Sequence, residues 1–116
     1  MDIQTAIEDL NALVLSGKAL EAFEKYYDES IVMVEKNDVL AEGKDANRKR
    51  EEEFFANITE FRGAEVKAVA VGENVSMVEW HFDYVHKEWG HMKYDQVAVA
   101  KWKDGKIVHE RFYALY

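Results

Sequence analysis

From Asn74 to Tyr116 the chain reads as three long strands, interrupted only by a turn at Gly90 and another at Lys103-Asp104-Gly105. A strand of about 12 residues spans roughly 40 Å, too long to lie flat in a domain of 116 residues. Such strands twist and curl, and a curled sheet with helices on its concave face encloses a cavity. The sequence therefore points to a protein built around a pocket.

The length predicts a single domain over residues 1–116, and 48% hydrophobic residues suffice for one core. A net charge of −8 argues against a nucleic-acid partner. There is no cysteine, hence no disulfide and no thiolate chemistry. The start, Met1-Asp2-Ile3-Gln4-Thr5, lacks the basic and apolar runs of a signal peptide. No apolar stretch approaches the roughly 20 residues that span a membrane, so a cytoplasmic location without membrane contact is expected.

Ile3, Ala6, Ile7, Leu10, Leu13 and Val14 form one helical stripe over residues 2–15, with Asp2 as N-cap and Ser16-Gly17 as the stop. A second helix is expected over about 18–28, where Leu20, Phe23 and Tyr27 share a side. Residues 30–35 form a strand, with a short one at 39–41 and a third helix over about 44–57. On that helix Arg48–Glu52 and Lys49–Glu53 stand at pairing distance, while Asn47, Arg50 and Glu51 share a stripe with Phe54 and Ile58. Such polar residues face a cavity or lay their stems over the core. Four strands follow at about 59–71, 74–88, 91–103 and 106–115, joined by connections short enough for antiparallel hairpins. The fold class is thus α+β, a curved antiparallel sheet packed on three N-terminal helices.

Alternation assigns faces. Ser76, Val78, Trp80, Phe82, Tyr84 and His86 are expected inward, as are Met92, Tyr94, Gln96, Ala98, Ala100 and Trp102. On the last strand Val108, Glu110, Phe112 and Ala114 are placed inward, with Ile107, His109, Arg111 and Tyr113 outward. Glu110 then alternates with apolar neighbours, and an interior carboxyl is unusual unless paired or functional. Glu35, ending an apolar strand, and Gln96 are the other polar groups on this surface.

The chain resembles the nuclear transport factor 2-like superfamily, in particular SnoaL-like domains. Gly17-Lys18, Ala22-Phe23, Tyr26-Tyr27-Asp28, Glu42-Gly43-Lys44-Asp45-Ala46 and the run from Trp102 to Tyr113 carry the resemblance, which covers nearly the whole chain. It implies a cone of curved sheet closed by three helices (the cystatin-like shape), with a pocket at the open end. It also implies a homodimer through the outer sheet face, at His81, Asp83, Val97, Val99 and Tyr113. The family shares a fold and not one activity. Ketosteroid isomerases have a carboxylate base near the place of Glu35, but their two oxyanion donors fall here at Leu10 and Ala98, which cannot donate. The Asp–Arg–Asp set of limonene-type epoxide hydrolases falls at Trp80, Phe82 and Phe112. The Asp/His pair of polyketide cyclases is matched only by His109 and Glu110, neighbours that point to opposite faces.

The expected function is binding of a small apolar or aromatic molecule between sheet and helices, lined by Leu10, Asn47, Phe54, Trp80, Phe82, Tyr84, Gln96 and Phe112. An alternative is general acid/base catalysis of isomerase, cyclase or hydrolase type by Glu35 and Glu110, whose apolar surroundings would raise a carboxyl pKa. A further alternative is a dimerisation module with a vestigial pocket. No cofactor is expected. His81, His86, His91 and His109 show no metal-ligand spacing, and His86 is read as facing solvent near a strand end. Lys103-Asp104-Gly105-Lys106 is a hairpin turn rather than a phosphate loop. Trp89 is read as a packed turn residue in preference to a pocket lip.

Overall fold

The computed structural model describes residues 2–116; of the N-terminal segment read above, Met1 lies outside them. In chain order the elements are α1 (Ile3–Leu15), α2 (Ala19–Tyr26), β1 (Tyr27–Glu35), β2 (Asp38–Glu42), α3 (Lys44–Ala56), β3 (Ile58–Gly72), β4 (Val75–His86), β5 (Gly90–Lys103) and β6 (Lys106–Leu115). Asp2 caps α1 by accepting from the Thr5 amide at 2.8 Å. The helix stops where Gly17 takes a φ of 79°, which lets the Lys18 amide reach back to the Leu13 carbonyl at 2.8 Å.

All six strands form one sheet in the order β2-β1-β6-β5-β4-β3. β3 to β6 are an antiparallel meander. The sheet is mixed rather than antiparallel throughout, because β1 lies parallel to β6. The reason is directional: β1 leaves α2 at Tyr27, beside Ile107, and both strands run from that closed end towards Glu35 and Phe112. The edge strand β3 carries three register shifts against β4, near Ile58, Phe61 and Val66. Bulges of this kind bend a long strand and blunt an exposed edge.

The three helices cover the concave face. Ile7 and Leu10 of α1 and Phe23 and Tyr26 of α2 pack with Val78, Trp80, Trp102 and Ile107. Ala98 and Ala100 stand in the same cluster; small side chains at mid-sheet let the helices approach. The buried Trp102 indole donates to the Ser76 hydroxyl at 2.9 Å, so no polar group is stranded there.

Faces of β4 and β5 follow the alternation read from the sequence. On β6 one step differs. The β5–β6 register shifts between Lys101 and Trp102, so Ile107 rather than Val108 pairs with the inward Trp102 and is fully buried. Val108 is the extra residue of the bulge, and beyond it Glu110, Phe112 and Ala114 resume the expected face. The junction of α2 and β1 also differs: the helix ends at Tyr26, so Tyr27 is the first residue of the strand. On α3, Arg48 pairs with Glu24 and Asp45, each at 2.6 Å, and not with Glu52. The nearby α2 offers a better-placed carboxylate than the next turn of its own helix. No helix among the described residues is long and apolar enough to cross a membrane.

Candidate functional site

The floor of the concave face is acidic. Glu110 pairs across the sheet with Met33 on one side and Ala100 on the other, and is only 6% exposed. The Tyr27 hydroxyl donates to its Oε1 at 2.5 Å. Burial pushes the Glu110 carboxyl up to about 7; the Tyr27 hydrogen bond pulls the other way, nearby Glu51 raises it further, and Arg50 lowers it. Tyr27 itself is driven well above the usual phenol range, first by burial and then by the charge of Glu110. A carboxyl that changes protonation near neutrality inside apolar walls is a competent proton donor or acceptor.

Arg50 and Glu51 of α3 stand over this floor. The Arg50 guanidinium lies 3.5 Å from the Glu51 carboxylate, and its Nη2 donates to the Met33 sulfur at 3.3 Å. The Glu51 side chain keeps 21% of its surface in solvent, yet burial still raises its carboxyl. Arg50 Nε is enclosed with no hydrogen-bond partner among the described residues.

One step towards the open end Glu35 pairs with Phe112, and one step beyond that Ala114 pairs with Gln96. Phe82, Gln96 and Phe112, at successive steps along the face, are half-buried, so this part of it meets solvent. Glu35 and Glu110 share the concave face but are offset by two residues along paired strands, roughly 6.6 Å. They stand at different depths of the concave face and are not a touching pair. Above them the Tyr84 and Tyr94 hydroxyls bond at 2.8 Å, and Tyr94 packs on Tyr116 with ring centroids 4.8 Å apart. Glu35, Trp89, Met92 and Tyr116 line a cleft of about 310 Å³ at the mouth. A second cleft, of about 520 Å³, lies at the closed end between the start of α1 and the two hairpin turns.

Of the residues expected to line a pocket, Phe82, Gln96 and Phe112 stand on that half-buried part of the face. Leu10 and Trp80 are enclosed in the core cluster and form the wall behind it. Phe54 lies against Tyr84 at 5.5 Å and Trp89 at 6.1 Å between centroids. Asn47 does not line the cup. It is completely buried, and its amide donates towards the carbonyls of Ile31, Ala41 and Gly43 at 2.8–3.2 Å. It clamps β1, β2 and the start of α3, adding a side-chain donor to carbonyls of which Ile31's also accepts the Gly43 amide and Gly43's the backbone amide of Asn47. His86 does not face solvent: it is 3% exposed, stacks on Trp89 at 3.7 Å and accepts the Glu88 and Trp89 amides on Nδ1. Trp89 is accordingly both a packed turn residue and a lip of the mouth. His109 lies on the other face from Glu110, so the two do not meet in one site.

Tyr27 and Tyr116 are the site residues that the sequence reading missed. Tyr27 was assigned to a helix, which hid its strand-borne approach to Glu110. Tyr116 lies beyond the last strand, where alternation gives no direction. No group of three or more His, Asp or Glu among the described residues is arranged to hold a metal ion.

A sequence model of the SnoaL-like domain family matches residues 1–114. Among solved structures, the chain is similar to a Mesorhizobium loti protein provisionally described as a SnoaL-like polyketide cyclase, with carbohydrate phosphatase in brackets. The two are 30% identical over 97% of this chain and 99% of that one, with a TM-score of 0.88. An uncharacterised cystatin-fold protein from Novosphingobium aromaticivorans is 18% identical over 97% of each chain, with a TM-score of 0.81. AclR from Streptomyces galilaeus, provisionally described as a hydroxylase, is 12% identical over 97% of this chain and 87% of that one, with a TM-score of 0.76. At their low identity the last two bear on the fold alone. Among curated proteins none matches the chain.

Proposed function

We propose a function from one premise: the chain belongs to the SnoaL-like domain family. The concave face binds a small apolar or aromatic molecule bearing a carbonyl or hydroxyl group. Its body rests on Phe82, Gln96 and Phe112, and its polar group points to the floor. The observation that carries this reading is Glu110, a carboxyl 6% exposed, held by Tyr27 and titrating at about 7. Burying such a group is unfavourable for stability, and a partner arriving from the cup would make use of it.

The test is a panel of small aromatic and alicyclic ketones and phenols, followed by thermal shift and by tryptophan fluorescence. Trp80 in the wall and Trp89 at the lip are the reporters. Saturable binding is expected, weakened at least about tenfold by Ala114→Phe, which fills the cup from an inward position beside Gln96. Undiminished binding to that variant puts the ligand outside the cup and removes the reading; no binding by any compound removes it too and favours a vestigial pocket.

A second reading is favoured by the pKa of Glu110: proton transfer at a carbon beside a carbonyl. That step opens the ring closures implied by the description of the M. loti protein. In D2O, a ketone found to bind should exchange its α-hydrogens by NMR, with a rate governed by a group of pKa about 7 and abolished in Glu110→Gln. Exchange that is equally fast in the variant excludes Glu110 as the base. The same family reading carries a homodimer through the outer sheet face, where Met77 pairs with Val99 and Val97 with Tyr113.

A further inference from the structure

We propose that the mouth of the cup is a seat for an organic ammonium group, so that the ligand is an amine or quaternary ammonium with an apolar or aromatic body. This rests on the reading of the concave face as a small-molecule cup and adds the charge of what enters it. The cleft of about 310 Å³ is lined by one carboxylate (Glu35), two aromatic rings (Trp89 and Tyr116) and a thioether (Met92). Electron-rich ring faces beside a carboxylate attract a weakly hydrated cation, tryptophan most strongly, and a polarisable sulfur suits its methyl or methylene groups.

Three independent features of the structure point the same way. First, the rings are available: Trp89 is 54% and Tyr116 64% exposed, unusual for side chains of that size. Trp89 is nonetheless held in place, stacked at 9° against His86. Second, the carboxylate is available. Glu35 accepts the Tyr116 hydroxyl at 3.1 Å, and among the described residues no lysine, arginine or histidine stands within ion-pairing distance of it. Arg50, the cation standing over the floor below, is engaged with Glu51 and Met33 instead. Third, the chain already places an ammonium on this surface: Lys36 Nζ lies 6.0 Å from the Tyr116 ring centroid. The mouth is also negative in potential. Behind burial, the charge of Glu35 contributes to raising the hydroxyls of Tyr84, Tyr94 and Tyr116. A ligand ammonium would make the ring contact that Lys36 makes, adding the contact with Glu35 that Lys36 lacks.

The experiment compares 4-hydroxybenzyltrimethylammonium with its uncharged carbon isostere, 4-neopentylphenol, by fluorescence titration and calorimetry. The two probes have the same shape and differ by one positive charge. The cation is expected to bind about tenfold more tightly. Glu35→Gln should reduce the preference severalfold, to what the rings alone supply, while leaving the isostere unaffected, and Lys36→Met should increase affinity for the cation. Equal binding of the two probes, or a preference undiminished in Glu35→Gln, overturns the ammonium seat and leaves the cup standing. Failure of both probes to bind overturns the seat and counts against the cup as well. Unchanged thermal melting of Glu35→Gln would show that the variant's fold is intact, so that its reduced preference is read as loss of the contact.

Discussion

Glu110 links the chemistry of single residues to the stability of the fold. Its carboxyl titrates at about 7 in the folded chain and near its ordinary 4.5 when exposed. Between those values the unfolded chain holds fewer protons than the folded one, so stability falls as pH rises from 4.5 to 7 and levels off above. The span corresponds to at most about 3 kcal/mol. Glu51, also raised by burial, acts in the same sense, whereas His109, lowered chiefly by burial, acts in the opposite one. A difference curve separates them. Urea unfolding of Glu110→Gln should show the variant gaining on the parent between pH 5 and pH 8, by up to about 3 kcal/mol. A flat difference would mean that the carboxyl is solvated. Tyr27→Phe removes the hydrogen bond that favours the charged form. It should move the titration upward and cost about 1–2 kcal/mol.

At the scale of elements, the cup depends on how α3 is hung from the β1–β2 hairpin. The Asn47 amide is the tie, since its donors reach Ile31, Ala41 and Gly43. Asn47→Ala would remove the side-chain tie and leave a void in a completely buried place, and unfolding by denaturant should show a loss of about 2–4 kcal/mol. Asn47→Asp should be no better, because a carboxylate cannot donate. Periodicity revealed the elements and most faces in advance, because β4 and β5 alternate without interruption and each polar residue out of step is conspicuous. Glu110 was legible for that reason. Three features were not. The α2–β1 junction has no glycine or proline to mark it, so Tyr27 was read as helical. The bulge at Val108 arises from the β5–β6 register, a relation between distant segments that no local pattern records. Asn47 was seen as a polar residue on an apolar stripe, but its role depends on carbonyls made available by a bend elsewhere.

At the scale of the molecule, the convex face is uncovered in the monomer. Met77 and Tyr113 there are 45% and 48% exposed. They are set among polar clusters such as Lys67–Asp95, at 2.8 Å, and His81–Asp95, at 2.7 Å. If this face pairs two copies, light scattering coupled to gel filtration should give twice the mass of 13.5 kDa at micromolar concentration. Val99→Lys should return the chain to a monomer without loss of helix or strand signal. A parent that is monomeric throughout that range removes the dimer. The parallel docking of β1 on β6 has its own consequence. Tyr27 and Glu110 stand 83 positions apart, and β1 must dock on β6 to complete the enclosure that raises the acid's proton affinity against the pull of the Tyr27 hydrogen bond. Near pH 6, completing the architecture therefore draws hydrogen ions out of the medium. A chain that stops before β6 lacks the acid itself, and with it that uptake.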